Sequence, residues 1–155
     1  MALRAFLTGI HLLASVIWVG GMFFAFQILR PSVAAMEPQA RLKLWAGVFE
    51  RFFPWVWASA VVLLLSGFWM ISAYFGGMKG AGMYIHLMMG IGMLMALLFV
   101  WLWFSPYRLF RSAMASGDSQ GAGRQVDRIR HIIAVNLIMG LVVLVLASTG
   151  KYFLH

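Results

Sequence analysis

Residues 81–104 read AGMYIHLMMGIGMLMALLFVWLWF, an unbroken run with no charged side chain. A helix of that length rises roughly 36 Å at about 1.5 Å per residue, enough to cross a hydrocarbon layer of about 30 Å. Three further apolar runs of membrane length lie at about 5–29, 54–75 and 131–153, of which only the last contains a charged residue, Lys151 near its end. They are too long and too evenly apolar to be the short alternating strands of a membrane barrel. The expected fold is all-α, a membrane four-helix bundle, with residues 1–155 forming a single integral membrane domain.

The composition agrees with that reading. With 63% hydrophobic and 10% charged residues, the 155-residue chain has more apolar surface than a soluble core of its size can bury, so lipid must be part of its solvent. The first run has no small-residue cleavage site and carries His11 and Trp18, so it is expected to be a retained helix. There is no cysteine, which excludes disulfides, thiolate metal sites, iron–sulfur clusters and covalent haem attachment.

The formal net charge of +8 comes from cations that flank the apolar runs. Headgroup contacts and topology account for them, so the expected partner is a lipid bilayer and not a nucleic acid. Arg30, Arg41, Lys43 and Arg51 lie in the first loop, and Arg108, Arg111, Arg124, Arg128 and Arg130 in the third, against only Arg4, Lys79 and Lys151 on the other side. The positive-inside rule places loops one and three in the cytoplasm and both termini on the outer, periplasmic side of a bacterial-type inner membrane. In loop one, Leu42, Trp45, Val48, Phe49 and Phe52 form the apolar face of a surface helix expected to end before Pro54 and to lie in the interface. In loop three, residues 116–123 are expected to be a flexible tip between helical extensions. Most of the seven tryptophans fall near the expected interfaces.

Ionisable or metal-binding side chains inside a span are functional candidates by default. His11 and His86 each lie seven residues inside a cation, Arg4 and Lys79, that opens an apolar run. If both helices cross in the same direction, the imidazoles share a depth roughly 10 Å below those anchors. Facing each other, they could ligate one haem b iron. Gly82 and Gly90 flank His86 on its helical face, Ala14 and Ser15 follow His11, and Trp18 stands on the His11 face as a pocket wall. Arg4, Lys79, Tyr84, Lys151 and Tyr152 cluster at the outer end, where cations and hydroxyls would meet haem carboxylates. The same histidines and small residues would also serve as plain interhelical glue.

Met78, Met83, Met88, Met89, Met93 and Met95 crowd the third run, with Met89 and Met93 one helical turn apart. Thioethers suit Cu(I), so copper is the alternative cofactor, although methionine is also an ordinary packing residue. His131 is read as interfacial and His155 as a solvated C-terminal residue. Asn136, Gly140, Val143, Ala147 and Gly150 form a stripe at helical spacing, and Ser59 and Ser66 mark one side of the second run. Both sets are expected to face the interior.

His11, then Trp18-Val19-Gly20-Gly21 and Arg30-Pro31, resembles the first helix of the CopD-domain and HemJ-like membrane proteins. Phe49-Glu50-Arg51-Phe52-Phe53-Pro54 and Ser66-Gly67-Phe68-Trp69-Met70 are similar to that group's next helix, with a fainter echo in Arg130, Asn136 and Gly140. The HemJ side of the resemblance implies haem b and protoporphyrinogen oxidation; the CopD side implies copper uptake. HemJ-like proteins carry His-x-Lys where this chain has His86-Leu87-Met88, and Asn-Glu-x-Pro where it has Asn136-Leu137-Ile138-Met139. Haem ligation thus carries over without the porphyrinogen reaction.

The reading is a b-type haem protein with His11 and His86 as axial ligands, transferring electrons with a quinone or protein redox partner and forming a homodimer. A copper-transport protein and a cofactor-free structural subunit are the alternatives.

Overall fold

A computed structural model of the protein describes residues 2–153. Four helices follow one another, α1 over Ala2–Ser32, α2 over Pro38–Phe75, α3 over Met83–Ser116 and α4 over Ser119–Phe153, and the described residues contain no strand. All four are long and apolar enough to cross a membrane. The architecture is the all-α membrane bundle that the apolar runs imply.

Helices α2, α3 and α4 extend well beyond those runs. Pro54 does not begin a helix but sits inside α2, on its exposed side, where the hydrogen bond that proline cannot donate costs least. The amphipathic segment before it is the first part of α2. Its Leu42, Trp45 and Phe49 are buried against the rest of the bundle, so it does not lie flat in an interface. The expected flexible tip of loop three shrinks to Gly117 and Asp118. Gly117 takes a left-handed φ of 75° that closes α3, and the Asp118 carboxylate accepts the Gly121 N–H at 2.8 Å to open α4.

Each remaining turn has a local cause. Glu37 caps α2 by accepting from the backbone N–H groups of Gln39 and Ala40, both at 3.0 Å, with Pro38 at the first helical position. Gly76, at φ 65°, ends α2 before the short 3-10 turn Met78–Gly80. Wide π turns occur at Phe24–Leu29, just ahead of Pro31, and at Trp103–Tyr107, which contains Pro106. Proline removes a donor and crowds the carbonyl four residues back, and a locally widened helix relieves both.

The chain packs as two antiparallel pairs, α1 along α2 and α3 along α4, with α4 also touching α1 and α2. The half of the bundle holding the arginine-rich segments is filled by aromatic rings. Phe49 and Phe53 stack 5.1 Å apart, Tyr107 meets Phe53 edge-on at 4.8 Å, and Phe110 meets Phe49 at 5.6 Å. Trp45, Trp57 and Trp103 join this core instead of an interfacial belt, while Trp55 and Trp101 are exposed.

Candidate functional site

The other half of the bundle is not filled. A cavity of about 300 Å³ lies among all four helices, walled by residues that include His11, Ser15, Trp18 and Val19 of α1, Ala60, Gly67, Met70 and Tyr74 of α2, Tyr84, Met88, Met89, Met93 and Met95 of α3, and Gly140 and Val143 of α4. Small side chains make room for it. At Gly140 even a Cβ would stand 2.8 Å from Val19 and 3.2 Å from the Met95 methyl.

His11 is the imidazole in this wall. Its Nδ1 lies 2.7 Å from the Ser66 hydroxyl of α2. Ser66 has one hydroxyl hydrogen; when it is donated to the Val62 carbonyl of its own helix, the serine oxygen accepts from His11 Nδ1–H. That assignment leaves Nε2 with its lone pair free. No hydrogen-bond partner meets Nε2 among the described residues. A ring nitrogen held this way, with the opposite N–H anchored to a second group, is the usual arrangement of a metal-binding histidine. The Ser15 hydroxyl donates to the His11 backbone carbonyl at 2.8 Å, and a Thr8, Met70 and Tyr74 cluster closes the end of the wall, with Thr8 Oγ1 3.7 Å from the Met70 sulfur and 3.2 Å from the Tyr74 hydroxyl.

Five methionines, Met70, Met88, Met89, Met93 and Met95, line the same cavity. The nitrogen and sulfur donors in this wall are one imidazole and five thioethers, soft and neutral, beside the hydroxyls of Ser15, Tyr74 and Tyr84. Among the described residues, no three His, Cys, Asp or Glu side chains converge into a metal-binding group.

Of the residues singled out from the sequence, His11, Ser15, Trp18, Tyr84, Met88, Met89, Met93 and Met95 line the cavity, as do Gly140, Val143 and Ala147 of the α4 stripe. His86 does not. It is exposed on the outward side of α3, where its Nδ1–H donates to the Gly82 carbonyl at 3.1 Å, and Gly90 is exposed one turn further along. Both lie on one face, as their spacing requires, but the face that α3 turns to the cavity is that of Tyr84, Ile85, Met88 and Met89. Ala14 is buried beside the cavity without lining it. Arg4 donates to the Ala73 carbonyl at 3.2 Å and stands over the Tyr74 ring at 5.2 Å, tying α1 to α2, while Lys79 is exposed in the turn. Met78 and Met83 are exposed as well. His131, well inside α4, is exposed and bonds the Asp127 carbonyl at 2.7 Å. His155 and the Lys151 side chain lie outside the described residues.

Thr8 and Tyr74 escaped the sequence reading, and two further members were marked without their role. Ser66 is recognisable as an interior serine, but its pairing with His11 joins residues 55 positions apart. Met70 falls outside the methionine-rich run and shows no spacing signal of its own.

No curated protein and no solved structure matches the chain. The family model of CopD, copper resistance protein D, matches residues 46–149. That region contains the cavity walls supplied by α2, α3 and α4, and it begins after His11. Because the match covers more than half of the sequence, the chain belongs to the CopD family.

Proposed function

We propose that this protein takes up Cu(I) within the membrane, holding the ion as cargo between His11 Nε2 and the thioethers of the cavity. The observation that carries the reading is the His11–Ser66 bond. It holds the imidazole in a largely apolar space lined by five methionines, with the hydroxyls of Ser15, Tyr74 and Tyr84 also in the wall. Cu(I) is soft and accepts low coordination, so neutral nitrogen and thioether donors bind it where hard cations would go unsatisfied. A cation entering an apolar cavity without charged ligands also favours the lowest charge available, which again selects Cu(I) over divalent ions. With the arginine-rich segments on the cytoplasmic side, the cavity half faces outward and receives copper from that compartment.

The test is Cu(I) titration of the detergent-purified protein against a chromophoric chelator, with X-ray absorption to identify the ligands. Saturable binding through mixed nitrogen and sulfur ligation is expected, abolished by His11→Ala and weakened by paired Met89→Leu and Met93→Leu. Unchanged binding in His11→Ala overturns the proposal.

Haem b held by His11 and His86 is the second reading, favoured by the free Nε2 of His11. It requires His86 to leave the Gly82 carbonyl and α3 to turn its exposed face inward. A visible spectrum separates the two readings. A Soret band with sharp reduced bands, lost in both His11→Ala and His86→Ala, would establish haem and displace copper. Protein that binds neither would leave the His11–Ser66 bond as interhelical glue, worth about 0.6 to 2 kcal/mol.

A further inference from the structure

At the opposite end of the bundle from His11, a second and larger pocket of about 550 Å³ opens between the end of α1, the start of α2 and the first turns of α4. Arg30, Arg41 and Arg130 line it, and Asp127 is the acidic side chain among its walls. Three guanidinium groups against one carboxylate leave a formal surplus of two positive charges facing one space. Surface arginines ordinarily spread apart or pair one to one; here only Arg130 has an acidic partner, Asp127 at 2.9 Å. Arg130 Nε is shielded from solvent and has no hydrogen-bond partner. Arg41 uses one nitrogen on the Ala34 carbonyl, and Arg30 lies over the Phe26 ring at 5.1 Å, so each keeps further N–H groups to offer.

We propose that this pocket binds a phosphate group, supplied by an anionic phospholipid headgroup. Converging guanidinium forks match phosphate oxygens in geometry as well as charge. The pocket's position identifies the source of that phosphate. Phe24 and Ile28, on the α1 turns leading to Arg30, are exposed apolar residues on a membrane-crossing helix. A lipid whose phosphate sits among the arginines can lay its acyl chains along that surface, which free phosphate cannot use. The π turn at Phe24–Leu29 and Pro31 shape the α1 side of the pocket, which includes Phe26 and Arg30. Basic pockets between membrane helices are a recognised form of headgroup site.

The experiment is native mass spectrometry of the detergent-purified full chain, titrated with phosphatidylglycerol or phosphatidylcholine. A parallel arm measures thermal stability in inorganic phosphate. Each cationic side chain near a lipid surface contributes roughly fivefold to binding of an anionic lipid, so the surplus of two charges predicts a preference of roughly thirtyfold for phosphatidylglycerol. Arg30→Gln, Arg41→Gln and Arg130→Gln each lower it roughly fivefold, and Asp127→Asn raises it by a similar factor. The aspartate variant moves opposite to the others, so a general loss of folding cannot imitate the pattern. If lipid preference is absent but inorganic phosphate stabilises the wild type and not Arg130→Gln, the anion site stands with free phosphate as its source. Equal retention of both lipids together with no phosphate effect overturns the site, as does a phosphatidylglycerol preference unchanged in all three arginine variants.

Discussion

Ser66→Ala separates the orientation of His11 from its presence. The substitution removes the oxygen that accepts from Nδ1 at 2.7 Å and leaves the imidazole itself in place. Two consequences follow from that one deletion. The bundle loses an interhelical hydrogen bond between α1 and α2, worth about 0.6 to 2 kcal/mol in a membrane setting. The ring also loses the group that fixes its tautomer and angle, so the free lone pair is no longer held on Nε2. Loss of an outer partner of this kind typically costs a metal-binding histidine about 10- to 100-fold in affinity, or about 1.4 to 2.7 kcal/mol.

Cu(I) affinity by chelator competition reports the second effect, and metal-free thermal unfolding reports the first. Gly67→Ala is the matched control. A Cβ there would stand 3.6 Å from His11 Cε1, an ordinary contact that crowds nothing. Its affinity should stay within about threefold of wild type, since the new methyl meets only the His11 Cε1 edge at ordinary contact distance and leaves Ser66 in place. Ser66→Ala with wild-type affinity would refute the reasoning, because the bond would then have no part in presenting Nε2. A loss as complete as that of His11→Ala would also refute it, since Ser66 would be doing more than orienting a ring.

Gly140→Ala should destabilise the protein. The new methyl meets the stiff Val19 side chain at 2.8 Å, and overpacking of this sort costs about 1–3 kcal/mol, more than the roughly 1 kcal/mol gained in helix propensity. Gly92→Ala, with nothing within 4 Å of the added carbon, should instead match or exceed wild type in thermal unfolding, and a lower melting temperature there would contradict the open space at that wall. Phe49→Ala removes a 1% exposed ring in contact with Trp45, Phe53, Tyr107 and Phe110, and should cost about 3–5 kcal/mol. A change below about 1 kcal/mol in reversible unfolding would mean that the aromatic core is not what holds the basic half together.

The bundle was legible because four charge-poor runs of membrane length admit few other folds. Helix ends were less so. Pro54 reads as a start signal, yet on the exposed side of α2 a missing N–H is tolerated and the helix continues through it. The glycine- and serine-rich stretch after α3 reads as flexible, yet Asp118 caps a helix there and one left-handed glycine suffices for the turn. Counting residues from Arg4 and Lys79 does not fix the depths, because α3 begins only at Met83 and His86 lies in its first turn, and counting says nothing of direction around each helix. In α3 apolar residues occur on every side, so no polar face marks which flank meets the interior, and the packing of Tyr84, Met88 and Met89 into the bundle decides it. The anchor of His11 was beyond reach for a related reason: a serine partner in another helix has no local pattern to betray it.

The arrangement of the two pockets bears on what the cavity can do with an ion. Trp18, Ala60 and Met95 belong to its wall, and Phe99 lies against Trp18 at 6.2 Å, Trp57 at 5.3 Å and Phe53 at 5.6 Å. Beyond that layer come the rest of the aromatic core and then the arginine pocket. Asn136, like Ser59, is a buried polar side chain near this boundary; its amide donates to the Met95 carbonyl at 3.3 Å, and its Oδ1 is left without a partner. An amide oxygen is a poor exchange for thioether sulfur as a Cu(I) ligand, and the rings beyond it offer no σ donor at all. An ion bound at His11, as proposed, would meet packed rings and then the three arginines of the second pocket on its far side. On the proposed copper reading, passage across the membrane would require the α1–α2 and α3–α4 pairs to part along the Phe53–Phe99 seam.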